Sequence, residues 1–179
     1  MCLVISCILT SRIFHSIISS PHSDTPDFTM ASSDNKPHAF NPPNVPTPPP
    51  TYSQACVTPL LPTSKLVTLA GQTGLRADGT IPTSFIEQVA GAYKAVHDAL
   101  LASGATPRDI VFVRHYIVTT TGDAALDKVD VVSRGWGDLW TAYLDKEAAG
   151  HRPPDTVLGV ASLAKSGLWY EVEVSAVAQ

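Results

Sequence analysis

The chain has 179 residues, 44% of them hydrophobic, 16% charged and 7% aromatic, a composition of ordinary globular proteins rather than fibrous, disordered or membrane-embedded ones. Twelve Lys and Arg against 16 Asp and Glu give a formal charge of -4, and no basic run breaks that balance, so no electrostatic footprint for nucleic acid is present. Three cysteines (Cys2, Cys7, Cys56) form no C-x-x-C pair, and the six histidines show no H-E-x-x-H, so neither a disulfide framework nor a sequence-encoded metal site is expected.

Residues 1–44 read as a leader. The first stretch is apolar (Cys2-Leu-Val-Ile-Ser-Cys-Ile-Leu9), Ser-rich and free of acids before Asp24, and its apolar run is too short to span a membrane. Two readings fit: a cleaved presequence, which would place the protein in a compartment such as the mitochondrion, or a true start at Met30, which would leave it cytoplasmic. Prolines crowd Asn41 to Pro50, where missing N–H donors and fixed φ forbid helix and central strand. The folded unit is therefore expected over 45–179 as one domain.

Within it, Lys65 to Ala70 is a short β-branched apolar run closed by Gly71-Gln-Thr-Gly74, which predicts a strand. After Pro82, the residues Phe85, Ile86, Val89, Tyr93, Val96 and Leu100 recur at helical spacing, with Gly104 as the stop. A turn at Thr106–Asp109 leads into Ile110 to Val118, nearly all apolar, as in a strand buried on both faces. A second helical pattern runs from Asp123 to Leu144, with Gly135 and Gly137 threatening a break in its middle. Thr156–Ala161 and Tyr170–Ala178 complete the set as strands.

The order βαβαββ predicts two helices packed on one face of a mixed sheet, leaving the other face for another subunit. Alternation in the last strand puts Val172, Val174, Ala176 and Ala178 on one face and Glu171, Glu173, Ser175 and Val177 on the other. Arg114 and His115 likewise point to opposite faces. Two carboxylates on an otherwise apolar sheet require water or a chemical role.

Four motifs occur in order: Thr51-Tyr-Ser-Gln-Ala55 after the Pro-rich lead, Leu69-Ala-Gly-Gln-Thr-Gly74, Gly159-Val-Ala-Ser-Leu163, and Tyr170-Glu-Val-Glu-Val-Ser-Ala-Val177. Together they resemble the RidA/YjgF family of reactive-intermediate deaminases, the endoribonuclease L-PSP-like proteins. The resemblance covers about residues 44 to 179. It implies an α+β, chorismate-mutase-like fold, a homotrimer with three interface clefts, and hydrolysis of 2-imino acids to 2-oxo acids and ammonia on a small-molecule substrate, with no cofactor or metal.

By position the resemblance carries over Tyr52, Gly71 and Glu171 as site residues. Glu171 suits the acid/base, since burial would raise its pKa towards neutrality. Glu173 reads as structural. The chain departs from the pattern at Asp155, where deaminase-type members carry an arginine that clamps the substrate carboxylate. An ionised Asp155 about 4 Å from that carboxylate would repel it by roughly 4 kcal/mol at an effective dielectric of about 20.

Arg152 and Arg114 are the replacements the sequence offers for that clamp. Trp136 and Trp140, spaced to share a helix face, could line a cleft for a larger, flatter substrate or fill the core. Cys56 reads as inert packing. Three functions stay open: an imine or enamine hydrolase with altered substrate range; an isomerase, lyase or cyclase acting on a neutral or cationic metabolite through the same Glu171; and a non-enzymatic ligand-binding trimer.

Overall fold

The polarity pattern of the chain translates into structure over residues 35–179, the part that the computed structural model describes. Its strands are β1 (His38–Phe40), β2 (Ala55–Val57), β3 (Lys65–Thr68), β4 (Gln72–Thr73), β5 (Ile110–Val118), β6 (Asp155–Val160) and β7 (Tyr170–Ala178), with helices α1 (Phe85–Ala102) and α2 (Trp136–Glu147). The main sheet has the order β3-β7-β5-β6, with β4 following β3 along the same edge of β7. Only β5 and β6 run parallel, joined by the crossover that contains α2.

β7 is hydrogen-bonded along both edges, to β5 on one side and to β3 and β4 on the other, and its alternation sets the polarity of the whole sheet. Tyr170, Val172, Val174 and Ala176 are buried beneath the helices, while Glu171, Glu173 and Ser175 lie on the face that no helix covers. β5 repeats the pattern: Val113, His115 and Ile117 are buried, and Arg114 is exposed between the half-buried Phe112 and Tyr116. The sequence pattern anticipated burial of β5 on both faces. In the single chain one of those faces is open.

α1 presents Phe85, Val89, Ala92, Tyr93, Val96 and Leu100 to the sheet, and Ser84 caps its start by accepting from the Glu87 N–H. Gln88 is fully buried on the same face, yet all its polar atoms are used. Its amide donates to the carbonyls of Pro82 and Gly167, and its oxygen accepts from the Trp169 N–H. α1 sits so close to the sheet that a Cβ on Gly74 would lie 2.4 Å from the Gln88 Cα.

The second helical pattern does not form one helix. Gly135 adopts φ 83°, a left-handed conformation that an L side chain strains to reach, so α2 starts at Trp136. Upstream, Asp123, Asp127 and Asp130 accept backbone N–H bonds and hold short 3₁₀ turns at Leu126–Lys128 and Val131–Ser133.

Described structure upstream of residue 45 is tied to the rest of the domain. β1 pairs antiparallel with β2, Lys36 forms a 2.7 Å ion pair with Asp109, and Arg108 donates to the Pro37 carbonyl at 2.6 Å. Of the expected leader, residues 1–34, including Cys2, Cys7 and Met30, lie outside the described residues. Among the described residues no helix is long and apolar enough to cross a membrane.

Candidate functional site

The open face of the sheet collects the polar residues that the strands cannot bury. Register places Arg114 opposite Glu173 and Tyr116 opposite Glu171, so four polar side chains from β5 and β7 form a two-by-two array. The Tyr116 hydroxyl donates to Glu173 Oε2 at 2.8 Å, and Arg114 Nη1 lies 3.7 Å from the same oxygen. The Arg114 guanidinium rests over the Phe112 ring, 4.8 Å from its centroid, which fixes the cation while leaving it half exposed. Thr68, Leu69, Phe112, Arg114, Glu173 and Ser175 line a small depression of about 120 Å³ here.

Glu171 has neither a hydrogen-bond nor an ion-pair partner among the described residues. Its carboxyl lies so close to Gly71 that a Cβ there would sit 2.0 Å from Oε1. Partial burial raises its pKa above the usual carboxylate value, and the neighbouring Glu173 charge adds to the rise. A carboxyl with a raised pKa and no partner can both accept and return a proton.

The opposite face carries a second polar system, sealed under the helices. The Tyr170 hydroxyl lies 2.8 Å from the Tyr93 hydroxyl and 2.6 Å from His115 Nδ1, and Tyr93 also reaches the Trp136 carbonyl at 3.2 Å. On its other side, His115 Nε2 faces Asp155 Oδ2 at 3.6 Å, with both side chains almost wholly excluded from solvent. Desolvation lowers the His115 pKa against the opposing pull of Asp155, so the imidazole is held neutral.

Three of the residues expected to face substrate are therefore elsewhere. Asp155 pairs in register with Val113, a buried position, and so its carboxylate turns towards His115 rather than the open face. The repulsion expected of it against a bound carboxylate is absent from the Arg114 side. Trp136 is core: its ring packs 4.5 Å from His115 and its indole N–H donates to the Val131 carbonyl. Trp140 is buried beside it. Arg152 lies in another crevice, paired with Asp145 and donating to the Pro50 carbonyl.

Tyr52 is partly exposed in the loop before β2. Glu171, Gly71 and Arg114 are the expected site residues that the fold gathers onto one face. Tyr116 was missed, although its position two residues after Arg114 placed it on the same face. Among the described residues, no three His, Cys, Asp or Glu side chains cluster as metal ligands would.

The sequence profile of the family described as Endoribonuclease L-PSP matches residues 43–179. The chain belongs to this family. It is the YjgF/RidA family that the four motifs resemble. Solved structures agree at the level of fold. The Rid-family protein YyfB from Yersinia pestis has a TM-score of 0.63 at 22% identity, covering 79% of this chain and 98% of its own. TdcF from E. coli, solved with bound serine, gives 0.53 at 19% identity with 74% and 97% coverage. Yeast Mmf1 gives 0.51 at 21% identity with 80% and 100%. None of the curated proteins matches the chain.

Proposed function

We propose that this L-PSP-family protein is a cofactor-free imine or enamine hydrolase whose chemistry takes place on the open sheet face, with Glu171 as the acid/base and Arg114 as the carboxylate clamp. The observation that carries the reading is the Glu171 carboxyl: unpartnered, raised in pKa, and held against Gly71. Glu171 lies opposite Tyr116, so Arg114 and Glu171 are diagonal neighbours across β5 and β7, about 7–8 Å apart at the backbone, with long side chains that can close on a small 2-imino acid. As in other members, the clefts would be completed by packing the open faces of three chains into a homotrimer, with Tyr52 contributed at the same boundary.

In this scheme Arg114 binds the substrate carboxylate and Glu171 takes a proton from a water as its oxygen attacks the imine carbon. From the protonated imine this gives a neutral carbinolamine. Glu171 returns the proton to its nitrogen, and as the C–N bond breaks the hydroxyl proton passes through Glu171 to the departing ammonia, leaving the 2-oxo acid and ammonium. Glu173 anchors Tyr116 and tempers the charge of Arg114. The same two carboxylates leave the face without excess positive charge, which favours a zwitterionic or cationic imine over a simple anion.

The test generates 2-iminobutanoate in situ and follows its clearance by wild type, Glu171→Gln and Arg114→Gln against buffer. Glu171→Gln is expected to lose about 10² to 10⁴ in rate, the usual contribution of general acid–base catalysis. Arg114→Gln should raise KM by about tenfold or more with a smaller change in kcat. No clearance above buffer by correctly folded wild type would overturn the deaminase reading and favour a different reaction at the same face.

A further inference from the structure

Arg152, drawn away from the open face, takes part in a second polar crevice. It lies between the β1–β2 hairpin and the segment linking α2 to β6, and its lining includes His38, Ser53, Arg108, His151 and Arg152. Its volume is about 250 Å³. That is slightly below the range of drug-sized ligand pockets, which begins at about 300 Å³, and its walls are polar rather than apolar.

The charge in the crevice is not fully compensated. Arg152 has Asp145 as an ion-pair partner, and its other recorded bonds go to the Pro50 and His151 carbonyls. Arg108 donates through Nη1 to the Pro37 carbonyl and has no carboxylate within ion-pair distance among the described residues. The nearest acid in sequence, Asp109, is taken up by Lys36 and by Thr106. A guanidinium has five N–H donors in a planar fork, so each arginine retains donors beyond those it spends on the backbone.

Two neutral groups complete the lining. Ser53, only 8% exposed, has a hydroxyl with no hydrogen-bond partner among the described residues. Ser53 lines the crevice beside two guanidiniums, so its unpartnered hydroxyl is suited to donate to a ligand there. His151 is held by a 2.7 Å bond from Nε2 to the Ile110 carbonyl. Burial, aided by the nearby charges of Arg108 and Arg152, pushes its pKa down to about 4, so it adds no charge near neutral pH.

We infer that this crevice is a binding site for a small phosphate-type oxyanion, with Arg108 and Arg152 as the charged donors and the Ser53 hydroxyl as a neutral one. Phosphate suits it better than a monocarboxylate, because three tetrahedrally disposed oxygens can be shared among donors that converge from different chain segments. The site is separate in its residues from Arg114, Tyr116, Glu171 and Glu173. Its occupant would also tie the N-terminal hairpin to the β6 linker, since the two guanidiniums already hold the Pro37 and Pro50 carbonyls.

The experiment titrates the full chain with inorganic phosphate and, separately, with glycerol 3-phosphate, at ionic strength held constant with chloride. Binding is read by calorimetry and by the thermal midpoint. Saturable binding is expected, weakened about ten- to a hundredfold in Arg108→Gln and by a smaller factor in Ser53→Ala, and unchanged in Arg76→Gln, a surface arginine outside both sites. If only the ester binds, the site addresses a phosphorylated metabolite; if both bind alike, it reads the phosphate group alone.

An independent readout is the His151 ring: bound anion should raise its pKa measured by NMR in wild type, but not in Arg108→Gln. Should Arg108→Gln fail to fold, Ser53→Ala and Arg108→Lys carry the comparison. Absence of saturable binding to wild type by either probe, or equal binding by wild type and the variants, would overturn the inference. Both outcomes are independent of imine clearance, so the two readings fail separately.

Discussion

Two glycines of one short motif should respond in opposite ways to the same substitution. A Cβ on Gly71 would meet Glu171 Oε1 at 2.0 Å and Cδ at 2.4 Å, atoms at the far end of a flexible side chain. Rotating that side chain costs about 0.5–1.5 kcal/mol, and the reduced freedom of the unfolded chain returns about 0.4–1 kcal/mol, so Gly71→Ala should change stability by under about 1 kcal/mol. A Cβ on Gly74 would meet Gln88 Cα at 2.4 Å and its carbonyl oxygen at 2.6 Å, both backbone atoms of α1. Relief there requires the helix to move away from the sheet, at about 1–3 kcal/mol or more, because every contact of Phe85, Val89 and Ala92 moves with it. For a chain of this size that is on the order of a 2–4 °C lower midpoint per kcal/mol. Thermal unfolding with imine clearance on the same samples separates the two. Gly71→Ala should keep its midpoint and lose turnover through the displaced Glu171, while Gly74→Ala should unfold early. Equal losses of stability would refute the packing argument, and undiminished clearance by Gly71→Ala would refute the positioning of Glu171.

Asp155→Arg should not create a carboxylate clamp. It forces a guanidinium into the buried pocket beside His115, and a loss of about 3–5 kcal/mol is expected in chemical denaturation, against a smaller loss for Asp155→Asn. Arg134 holds the end of β5 by donating to the Val118, Thr119 and Val129 carbonyls, so Arg134→Lys, which lacks the fork, should cost about 1–3 kcal/mol in the same measurement. Stability should also fall in acid. His115 and His151 have folded pKa values below that of an unfolded histidine, about 6.5, so the unfolded chain binds protons that the folded chain does not. The slope begins below about pH 6.5 and reaches up to about 1.4 kcal/mol per pH unit for each histidine, ending for His151 near its folded value of about 4. His151→Gln should flatten part of that slope, and an unchanged pH profile would show that His151 is not held neutral.

The long strands, α1 and the second half of the second helical pattern were legible because each rests on a periodicity the chain repeats. β5 was expected and found over Ile110–Val118, and β7 over Tyr170–Ala178, with alternation assigning Glu171 and Arg114 to faces directly. Less legible was whatever depended on a partner distant in sequence. The three-residue strand β1 has no apolar alternation to announce it, and it exists because Val57, Cys56 and Ala55 offer it backbone bonds. Asp155 was located correctly along the chain, but its facing depends on register with β5. Opposite Val113 it is buried, and a one-residue shift would have exposed it. The apolar periodicity from Leu126 to Val132 suggested helix, yet the three aspartates offered the backbone competing partners and Gly135 turned left-handed, leaving Val129 and Val132 exposed.

The alternation that separates the two polar systems also couples them. Arg114 and His115 are neighbours on β5, and Tyr170 and Glu171 are neighbours on β7, so in each pair one residue joins the open array and the other the sealed chain of Tyr93, Tyr170, His115 and Asp155. Placement of the Glu171 carboxyl therefore depends on β7 being held in register, and that register is fixed in part from below by the short Tyr170–His115 bond across the two strands. The buried chain is sealed from solvent, so under the proposed mechanism its contribution is positional. Replacing Tyr170 with Phe removes the hydroxyl that joins Tyr93 to His115 while keeping the ring that packs edge-on against Phe85. Loss of turnover in Tyr170→Phe with an unshifted pH profile for the remaining activity would show that the sealed face positions the open one. A shifted profile would instead mean that the buried histidine and aspartate tune the Glu171 carboxyl electrostatically through the sheet.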